Sequence, residues 1–292
     1  MLKYDSISEL VAEAEKRGVK ISDIVIEEQA EACETTKEAL YKKMYKSFRI
    51  MQTSIDDGLE EDTRSVSGLT GGSAWKMKKQ VDEGKNICGH LFGTAMSMAL
   101  AVSETNACMG KIVAAPTAGS CGIIPAVVVS VMNEKKIPVR DVVMGLFAAS
   151  GIGLVIAHKA SIAGAEGGCQ AECGVAAAMA AAAVVYLAGG TCRQQAAAVS
   201  LALINVMGLV CDPIAGLVQI PCAQRNASQA VNAIVSADLA LADTVCPVPA
   251  DEAIEAMYRV GKQLPRELRE TALGGIAESE TGKRIADEIR NQ

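Results

Sequence analysis

The amino-acid sequence predicts an all-α protein, a multi-helix domain with a buried core rich in alanine and glycine. Half of the 292 residues are hydrophobic but only 3% are aromatic, so the core must consist of Ala, Val, Ile, Leu and Met, with 26 Gly allowing close backbone approach. Strands favour aromatic and β-branched residues, whereas this composition favours packed helices. The alternation of apolar and polar residues that indicates a half-buried strand is scarce.

Two parts of the chain differ in composition. Residues 1–63 carry many charges, whereas from about residue 87 to residue 241 almost every residue is small or apolar. A polar, glycine-rich loop at 64–75 lies between them. We therefore expect an N-terminal helical segment, 1–63, packed on a main domain that spans 64–292.

The N-terminal segment predicts amphipathic helices. Ser6 and Glu9 have the spacing of a capping box, and Gly18 ends the helix that they begin. A second helix starts near Ser22. The stretch from Ile24 to about Ile55 has apolar residues at helical spacings and neither Gly nor Pro, which predicts one long helix.

Glycine and proline divide the remaining sequence into further helices. In the apolar region, helices are predicted near 90–104, 122–133, 138–157, 170–187, 192–209 and 226–242, and two amphipathic helices near 250–263 and 280–290 close the chain.

One apolar run is close to the length that spans a bilayer. It extends from Cys173 to Gly190 and carries no charge. Ala and Gly dominate it, and these residues contribute little to membrane insertion but suit a helix that is surrounded by other helices. The run therefore predicts a buried central helix and not a membrane span.

The charge balance and the N-terminus narrow the class of protein. The net charge is −6, and no block of Lys and Arg interrupts the apolar regions, which argues against a nucleic-acid partner. The N-terminus has no apolar stretch typical of a secretory signal. We expect a cytoplasmic protein in which the ten Cys are thiols or metal ligands and not disulfides.

The cysteines show no familiar metal-binding spacing. No C-x-x-C pair occurs, which removes the usual zinc and ferredoxin patterns, so a metal site would have to be assembled from dispersed loops. Four cysteines lie beside helix-breaking residues: Cys121, Cys169, Cys211 and Cys222. A single Cys is more commonly a small buried hydrophobe, and the spacing does not say which of the four would bind metal.

Two small, glycine-containing loops can present backbone amides to an anion such as a carboxylate. They are residues 116–125, PTAGSCGIIP, and residues 67–72, SGLTGG. Each could equally be a tight turn. The candidate substrate-binding residues in them are Ser67, Thr70, Gly71, Thr117, Gly119 and Ser120.

Carboxylates are rare in the apolar region. Burying one without a bonded partner or a functional role would cost considerable free energy. Those that stand out are Glu104, Glu166, Glu172 and Asp212. Glu104 and Glu172 could instead be solvated residues at helix ends. Lys111 could pair with a carboxylate, although a solvated lysine is more common. The candidate catalytic residues are Glu104, Glu166 and Lys111.

Three long strings carry a resemblance to a known family. They are SETNACMGKIVAAPTAGSCGIIPA at 103–126, GAEGGCQAECG at 164–174 and CDPIAGLVQIPC at 211–222. Together they resemble the alpha chain of bacterial iron-sulfur L-serine dehydratases, and a weaker likeness extends over 67–277. The resemblance implies a lyase of serine catabolism and gluconeogenesis that converts L-serine to pyruvate and ammonia.

The same resemblance implies an oxygen-sensitive four-iron four-sulfur (4Fe-4S) cluster. Its family pattern assigns the cluster ligands to Cys169, Cys211 and Cys222, and it leaves one iron open to act as a Lewis acid on the substrate hydroxyl. Cys173, four residues after Cys169, is an alternative ligand. Cys121 is left over in the loop that we assign to substrate.

The resemblance also implies a partner. Single-chain relatives carry an additional N-terminal domain and end in a Cys that can cap the open iron, whereas no Cys follows Cys246 here. The sequence is therefore similar to the two-subunit type, a heterodimer in which a smaller beta subunit is a separate chain.

Three other functions are alternatives to this one. A cysteine desulfidase of the same superfamily would use the same cluster to eliminate sulfide. A pyridoxal-phosphate dehydratase would need a Schiff-base Lys in an alternating strand-helix fold, which the periodicity does not support. A helical scaffold or electron carrier without catalytic activity would have no open iron that responds to serine.

Overall fold

The computed structural model describes residues 3–244 and 246–291, and in these ranges it contains thirteen α-helices and no strand, which confirms the all-α fold class. The helices are α1 (Ile7–Arg17), α2 (Ile21–Ala32), α3 (Lys37–Gly58), α4 (Ser73–Asp82), α5 (Gly89–Ala107), α6 (Ile123–Lys135), α7 (Val139–Lys159), α8 (Gly164–Gly167), α9 (Val175–Leu187), α10 (Cys192–Ile204), α11 (Cys222–Leu241), α12 (Ala250–Gln263) and α13 (Glu280–Arg290).

Helix α9 is the centre of the molecule. Every residue from Val175 to Tyr186 is buried, and α6, α7, α10 and α11 pack around it. Alanine makes up most of this helix, and a short side chain on every face lets four neighbours approach its backbone. A π-helical turn, Gln170–Gly174, runs directly into its first residue.

Two helical stretches are long and apolar enough to cross a membrane by length and composition. They are Val139–Lys159, which is 61% buried inside the protein, and Gln170–Leu187, which is 94% buried. The second contains most of the run from Cys173 to Gly190. Both are core helices of this fold, because other helices already cover their apolar surface.

The first three helices share the core of the rest of the chain. Ile7 and Leu10 of α1 and Phe48 of α3 belong to the same cluster of buried side chains as α9. Helix α3 lies close to α5, and a Cβ on Gly58 would collide with the carbonyl group of Ala101. The absence of a side chain at Gly58 therefore sets the distance between these two helices.

The prediction of one long helix from Ile24 to Ile55 is wrong. The chain forms two helices there, α2 and α3, with a turn between them in which Glu34 has a φ of +49°. The hydroxyl of Thr36 accepts a hydrogen bond from the Ala39 amide and so begins α3. A threonine N-cap can therefore mark the boundary between two helices without any Gly or Pro.

The predicted loop at 64–75 is shorter than expected, because helix α4 already begins at Ser73. The carboxylate of Glu104, on α5, accepts hydrogen bonds from the amides of Ser73 (2.9 Å) and Ala74 (3.3 Å). Those amides have no partner within α4. A residue about thirty positions away in sequence thus supplies the helix cap, which the local sequence could not indicate.

Candidate functional site

The candidate site is a group of buried thiols beside one carboxylate. The sulfur atoms of Cys169 and Cys211 and a carboxylate oxygen of Glu172 lie within 4.8 Å of one another. Cys173 is close enough to Cys169 for their thiols to hydrogen bond, and Cys222 is near enough for the charge of Cys169 to act on its thiol. All four cysteines are buried, and none forms a disulfide.

The electrostatic environment favours the thiolate form of one of these cysteines. Hydrogen bonds from Cys173 and Cys211, together with the charge on Arg225, lower the pKa of the Cys169 thiol to about 3. Burial and the negative charge of Cys169 raise the pKa of Cys222 to about 12. The thiolate is the form of cysteine that can bind metal, so the environment of Cys169 favours the form that a metal site would need.

Arg225 is the cation of the site. Its guanidinium donates hydrogen bonds to the sulfur of Cys169 (3.4 Å), to the carbonyl oxygen of Val210 (2.8 Å) and to a carboxylate oxygen of Asp212 (2.8 Å). The other oxygen of Asp212 accepts a hydrogen bond from the Ile276 amide (2.8 Å). The buried charge of Asp212, unusual in the sequence, therefore serves to hold Arg225 and the 275–276 backbone in place.

The first turns of α11 connect three parts of the site. Cys222 begins the helix, and Arg225 and Asn226 follow at spacings that keep all three on one side of it. The side-chain nitrogen of Asn226 donates a hydrogen bond to the carbonyl oxygen of Gly119 (2.7 Å). Its side-chain oxygen accepts one from the backbone amide of Gly122 (2.9 Å). One helix end therefore fixes a thiol, the arginine and the loop at 117–122.

The loop at 117–122 contacts the carboxylate of Glu172. The hydroxyl of Thr117 donates a hydrogen bond to Glu172 and lies 3.0 Å from the hydroxyl of Ser120. The Gly119 amide also hydrogen bonds to Glu172. Two predicted substrate-binding residues, Thr117 and Gly119, thus hold a carboxylate whose position beside the thiols had not been expected.

Burial is the main reason that the pKa of Glu172 rises to about 7, and the charges of Cys169 and Glu270 add to the effect. Hydrogen bonds from Thr117 and Gly119 act in the opposite direction. A Cβ placed on Gly119 would lie 2.5 Å from a Glu172 oxygen. Glycine at this position is therefore what lets the loop backbone approach the carboxylate.

The second predicted loop, 67–72, lies against the segment that joins two of the thiols. The side-chain oxygen of Gln219 accepts hydrogen bonds from the hydroxyls of Ser67 (2.8 Å) and Ser65 (3.0 Å). Gln219 stands three residues before Cys222 in the chain. Thr70 is buried in the same loop, and its amide donates to the Ser65 hydroxyl (3.3 Å). Both glycine-containing loops thus pack next to parts of the thiol site.

The candidate catalytic residues occupy three separate places. Glu104 is fully buried and caps α4, whereas Glu166 and Lys111 are exposed. Cys121, the fourth loop cysteine, lies in the hydrophobic core, where burial raises the pKa of its thiol to about 12. Its sulfur lies 4.0 Å from the carbonyl oxygen of Val102. Cys121 is therefore not part of the thiol group.

Sequence reasoning missed several residues of the site. Glu172 was noted only as a rare charge, and the arginine, the two amides and the second carboxylate were not singled out: Arg225, Asn226, Gln219 and Glu270. The polar residues QRN at 224–226 could have indicated Arg225 and Asn226. A polar cluster near the start of an otherwise largely apolar helix needs hydrogen-bond partners.

The donor set of this site fits an iron-sulfur cluster. Such clusters are held mainly by cysteine thiolates, and their properties depend on hydrogen bonds to the sulfur atoms and on burial. Here buried thiols from three separate segments meet, and Arg225 donates to one of them. Cys169, Cys211 and Cys222 would hold such a group, with Cys173 as the alternative ligand.

Comparison with known proteins shows the family of the chain. A family model described as "Serine dehydratase alpha chain" matches residues 16–277. The chain is 45% identical to the probable L-serine dehydratase, alpha chain, of Bacillus subtilis (strain 168), over 98% of this chain and 95% of that protein. It is 47% identical to the L-serine dehydratase, alpha chain, of Peptoniphilus asaccharolyticus, over 95% of each.

A longer relative shows the same likeness over part of its length. L-serine dehydratase 1 of Escherichia coli (strain K12) is 36% identical over 94% of this chain, but the match covers only 61% of that protein. The family match and the near full-length relatives lead to one conclusion: the chain belongs to the serine dehydratase alpha chain family.

Proposed function

We propose that the chain is the catalytic alpha subunit of an L-serine ammonia-lyase that holds a 4Fe-4S cluster through Cys169, Cys211 and Cys222. The observation that carries the proposal is a group of buried thiols beside Glu172 and Arg225. Cys169, Cys211 and Glu172 lie within 4.8 Å of one another, Cys173 can hydrogen bond to Cys169, and Cys222 is near enough for the charge of Cys169 to act on it. Relatives of nearly the same length are named L-serine dehydratase alpha chains, which supports serine as the substrate.

Three cysteines supply one thiolate too few for a cluster of four irons, so one iron is available to substrate. When bound, the cluster supplies a Lewis acid for the β-hydroxyl of serine, which turns hydroxide into a tolerable leaving group. The catalytic domain in this proposal is 64–292, with the helices of 1–63 packed against it.

The residues of the chain bind and orient serine in this proposal. The hydroxyls of Thr117 and Ser120 lie on the side of the loop that contacts Glu172, and they are proposed to hold the serine carboxylate. The loop at 67–72, which Gln219 anchors beside Cys222, contributes to the same subsite. Its proposed members are Ser67, Thr70 and Gly71.

Elimination of water also requires that a base remove the proton from the α-carbon. Glu172 is the carboxylate that lies among the thiols, and its hydrogen bonds to Thr117 and Gly119 fix its orientation. We assign the proton transfer to Glu172 in preference to Glu104, Glu166 and Lys111, because Glu104 caps a helix and the other two are exposed. The 2-aminoacrylate that forms tautomerises and hydrolyses to pyruvate and ammonia.

A second chain and a cytoplasmic location belong to the same proposal. The E. coli relative extends well beyond the region that this chain matches, whereas the alpha-chain relatives do not. We propose that a smaller beta subunit supplies the corresponding part as a separate chain in a heterodimer. A reducing compartment would preserve the cluster and the free thiols.

The test is to purify the chain without oxygen, alone and with its small subunit, and to measure iron, sulfide and pyruvate formation. We expect about four irons and four sulfides per chain and pyruvate from serine. Exposure to air should inactivate the enzyme, and ferrous iron with a thiol should restore it. Faster elimination from cysteine than from serine would instead indicate a desulfidase.

Serine substitutions test the ligands individually. Cys169→Ser, Cys211→Ser and Cys222→Ser should each lose most of the iron, whereas the exposed Cys33→Ser should retain all of it. Cys173→Ser separates the alternative ligand from the proposed ones, because Cys173 lies beside Cys169. Full iron content in the Cys211 or Cys222 variant would contradict the assignment.

A further inference from the structure

One side chain at the thiol site is not used by the mechanism above. Glu270 lies in the irregular segment between α12 and α13. Two backbone hydrogen bonds join this segment to Cys211. The Glu270 amide donates to the Cys211 carbonyl oxygen (2.7 Å), and the Cys211 amide donates to the carbonyl oxygen of Leu268 (2.9 Å). The position of Glu270 is therefore fixed relative to a proposed cluster ligand.

The carboxylate of Glu270 borders the same small space as that ligand. A Cβ placed on Gly164 would lie 3.1 Å from the sulfur of Cys211, 3.2 Å from an oxygen of Glu270 and 3.3 Å from an oxygen of Glu172. Three chemically active groups thus surround one point beside Gly164. Glu270 itself is exposed to solvent, so this group is not sealed within the core.

The backbone at Glu270 is in an unusual conformation. Its φ is +61°, a left-handed value that residues other than Gly adopt infrequently. Such conformations persist where the surrounding structure holds them, and they concentrate at functional sites. Here the two hydrogen bonds to Cys211 hold the turn and direct the Glu270 carboxylate to the space beside Gly164.

Glu270 has no basic side chain within 4.0 Å among the residues that the structure describes, although many other exposed acids of the chain do. The nearby Arg225 is already hydrogen bonded to Cys169, Val210 and Asp212. The site therefore presents, next to Cys211, a carboxylate that is free to bind a positively charged group.

We infer that Glu270 binds the α-ammonium group of the amino-acid substrate and so selects amino acids over the corresponding hydroxy acids. The inference rests on the proposed function. Serine must place its α-carbon at Glu172 and its hydroxyl toward the thiol group, and its ammonium group then needs an anionic partner within the same small site. Glu270 can bind the ammonium group without losing an ion pair, whereas Asp212 already binds Arg225 and Glu172 is the proposed base.

The test compares Glu270→Gln with Glu267→Gln in the complete enzyme, purified without oxygen. Glu267 is an exposed acid in the same segment, and among the described residues no hydrogen bond or ion pair joins its side chain to the thiol site. Two probes are used: L-serine as substrate, and L-glycerate, which has a hydroxyl in place of the amine, as inhibitor. Iron content and the visible spectrum are recorded for every variant.

We expect Glu270→Gln to raise the KM for serine by roughly tenfold or more, because a charge-assisted hydrogen bond is lost. The inhibition constant of L-glycerate should change by less than about threefold. Iron content should equal that of the wild type, and Glu270→Asp should restore part of the serine affinity. Glu267→Gln should behave as wild type toward both probes.

An unchanged KM for serine, or an equal loss of L-glycerate binding, would overturn the inference. Loss of iron in Glu270→Gln would also overturn it, because Glu270 would then be a cluster ligand. The failure of the proposed function looks different: the unsubstituted enzyme itself would contain no cluster or form no pyruvate from serine.

Discussion

At the scale of single residues, the close contact between the backbone at Gly119 and the carboxylate of Glu172 is a central feature of the candidate site. Thr117 and Gly119 both donate to Glu172, and a side chain at position 119 would have to occupy the space of that carboxylate. The predicted substrate loop thus has a second role, because it orients the proposed base. The role of Gly119 can be tested by adding bulk.

Gly119→Val should abolish activity or lower kcat/KM by at least about a hundredfold, because the new side chain displaces Glu172 and blocks the loop. Iron content and the visible spectrum should stay normal, since the loop lies outside the set of thiols. Steady-state kinetics together with iron analysis check this prediction. Ser120→Ala is the milder control, because it removes one hydroxyl and leaves the backbone unchanged. Wild-type kinetics in Gly119→Val would show that the loop is an ordinary turn.

The base can be identified by comparing two glutamates of the same region. Glu172→Gln should lower kcat by roughly a hundredfold to ten-thousandfold, which is the usual contribution of a general base. Glu166→Gln should retain activity, because Glu166 is exposed and has no part in the proton transfer of this proposal. Single-turnover measurements with serine would separate the chemical step from binding. A strong loss of kcat in Glu166→Gln alone would restore the assignment made from the sequence.

At the scale of helices, two helix starts are capped by carboxylates that are distant in sequence. Glu104 of α5 caps α4, and Asp251 in the first turn of α12 caps α1. The carboxylate of Asp251 accepts hydrogen bonds from the amides of Ile7 (2.9 Å) and Ser8 (3.0 Å) and from the Ser8 hydroxyl (2.6 Å). These contacts attach the N-terminal helix to the C-terminal part of the chain.

Asp251→Asn should lower the free energy of unfolding by about 1 kcal/mol at neutral pH, the usual cost of a weakened helix cap. Chemical denaturation followed by circular dichroism measures the change. Glu252→Gln is the matched control, because Glu252 is exposed in the same helical turn. An equal effect in both variants would show that the loss arises from the helix dipole of α12 and not from the cap on α1.

The contribution of Asp251 should depend on pH. Burial alone would raise the pKa of Asp251, but hydrogen bonds from Ser8 and Ile7 and the charge of Lys159 hold it below its usual value. A carboxyl with a lowered pKa stabilises the fold above its unfolded pKa, and the stabilisation is lost as the pH falls through the folded pKa. The difference between wild type and Asp251→Asn should therefore shrink in acid, beginning at about pH 4.

At the scale of the whole molecule, the fold depends on small residues at its centre. Helix α9 is surrounded by four helices, and its alanines leave no room for longer side chains. Ala181→Leu should lower the free energy of unfolding by about 1 to 3 kcal/mol through overpacking. Ala12→Leu, on an exposed face of α1, is the control and should change stability by less than about 0.5 kcal/mol. Equal stability of the two variants, measured by thermal unfolding, would show a loosely packed centre.

The sequence alone was enough to predict the fold class and most of the helices. Composition and periodicity reflect local preferences and burial, and these act within a single element, as in the run from Cys173 to Gly190 that forms the core helix α9. The long helix expected from Ile24 to Ile55 was wrong because an N-cap at Thr36, and not a Gly or Pro, begins the second helix.

The sequence also indicated which strings are proposed to carry the chemistry, since the cysteines, the two glycine-containing loops and the family resemblance could all be read without coordinates. Only the tertiary structure decided how these parts meet. It brought Glu172 to the thiols, Glu104 to a helix cap and Arg225 to Cys169, and it left Cys121 in the core. The physical reason is that hydrogen bonds and charges act over a few ångströms, so that the partner of a buried polar group depends on the packing of distant segments and not on its neighbours in the chain.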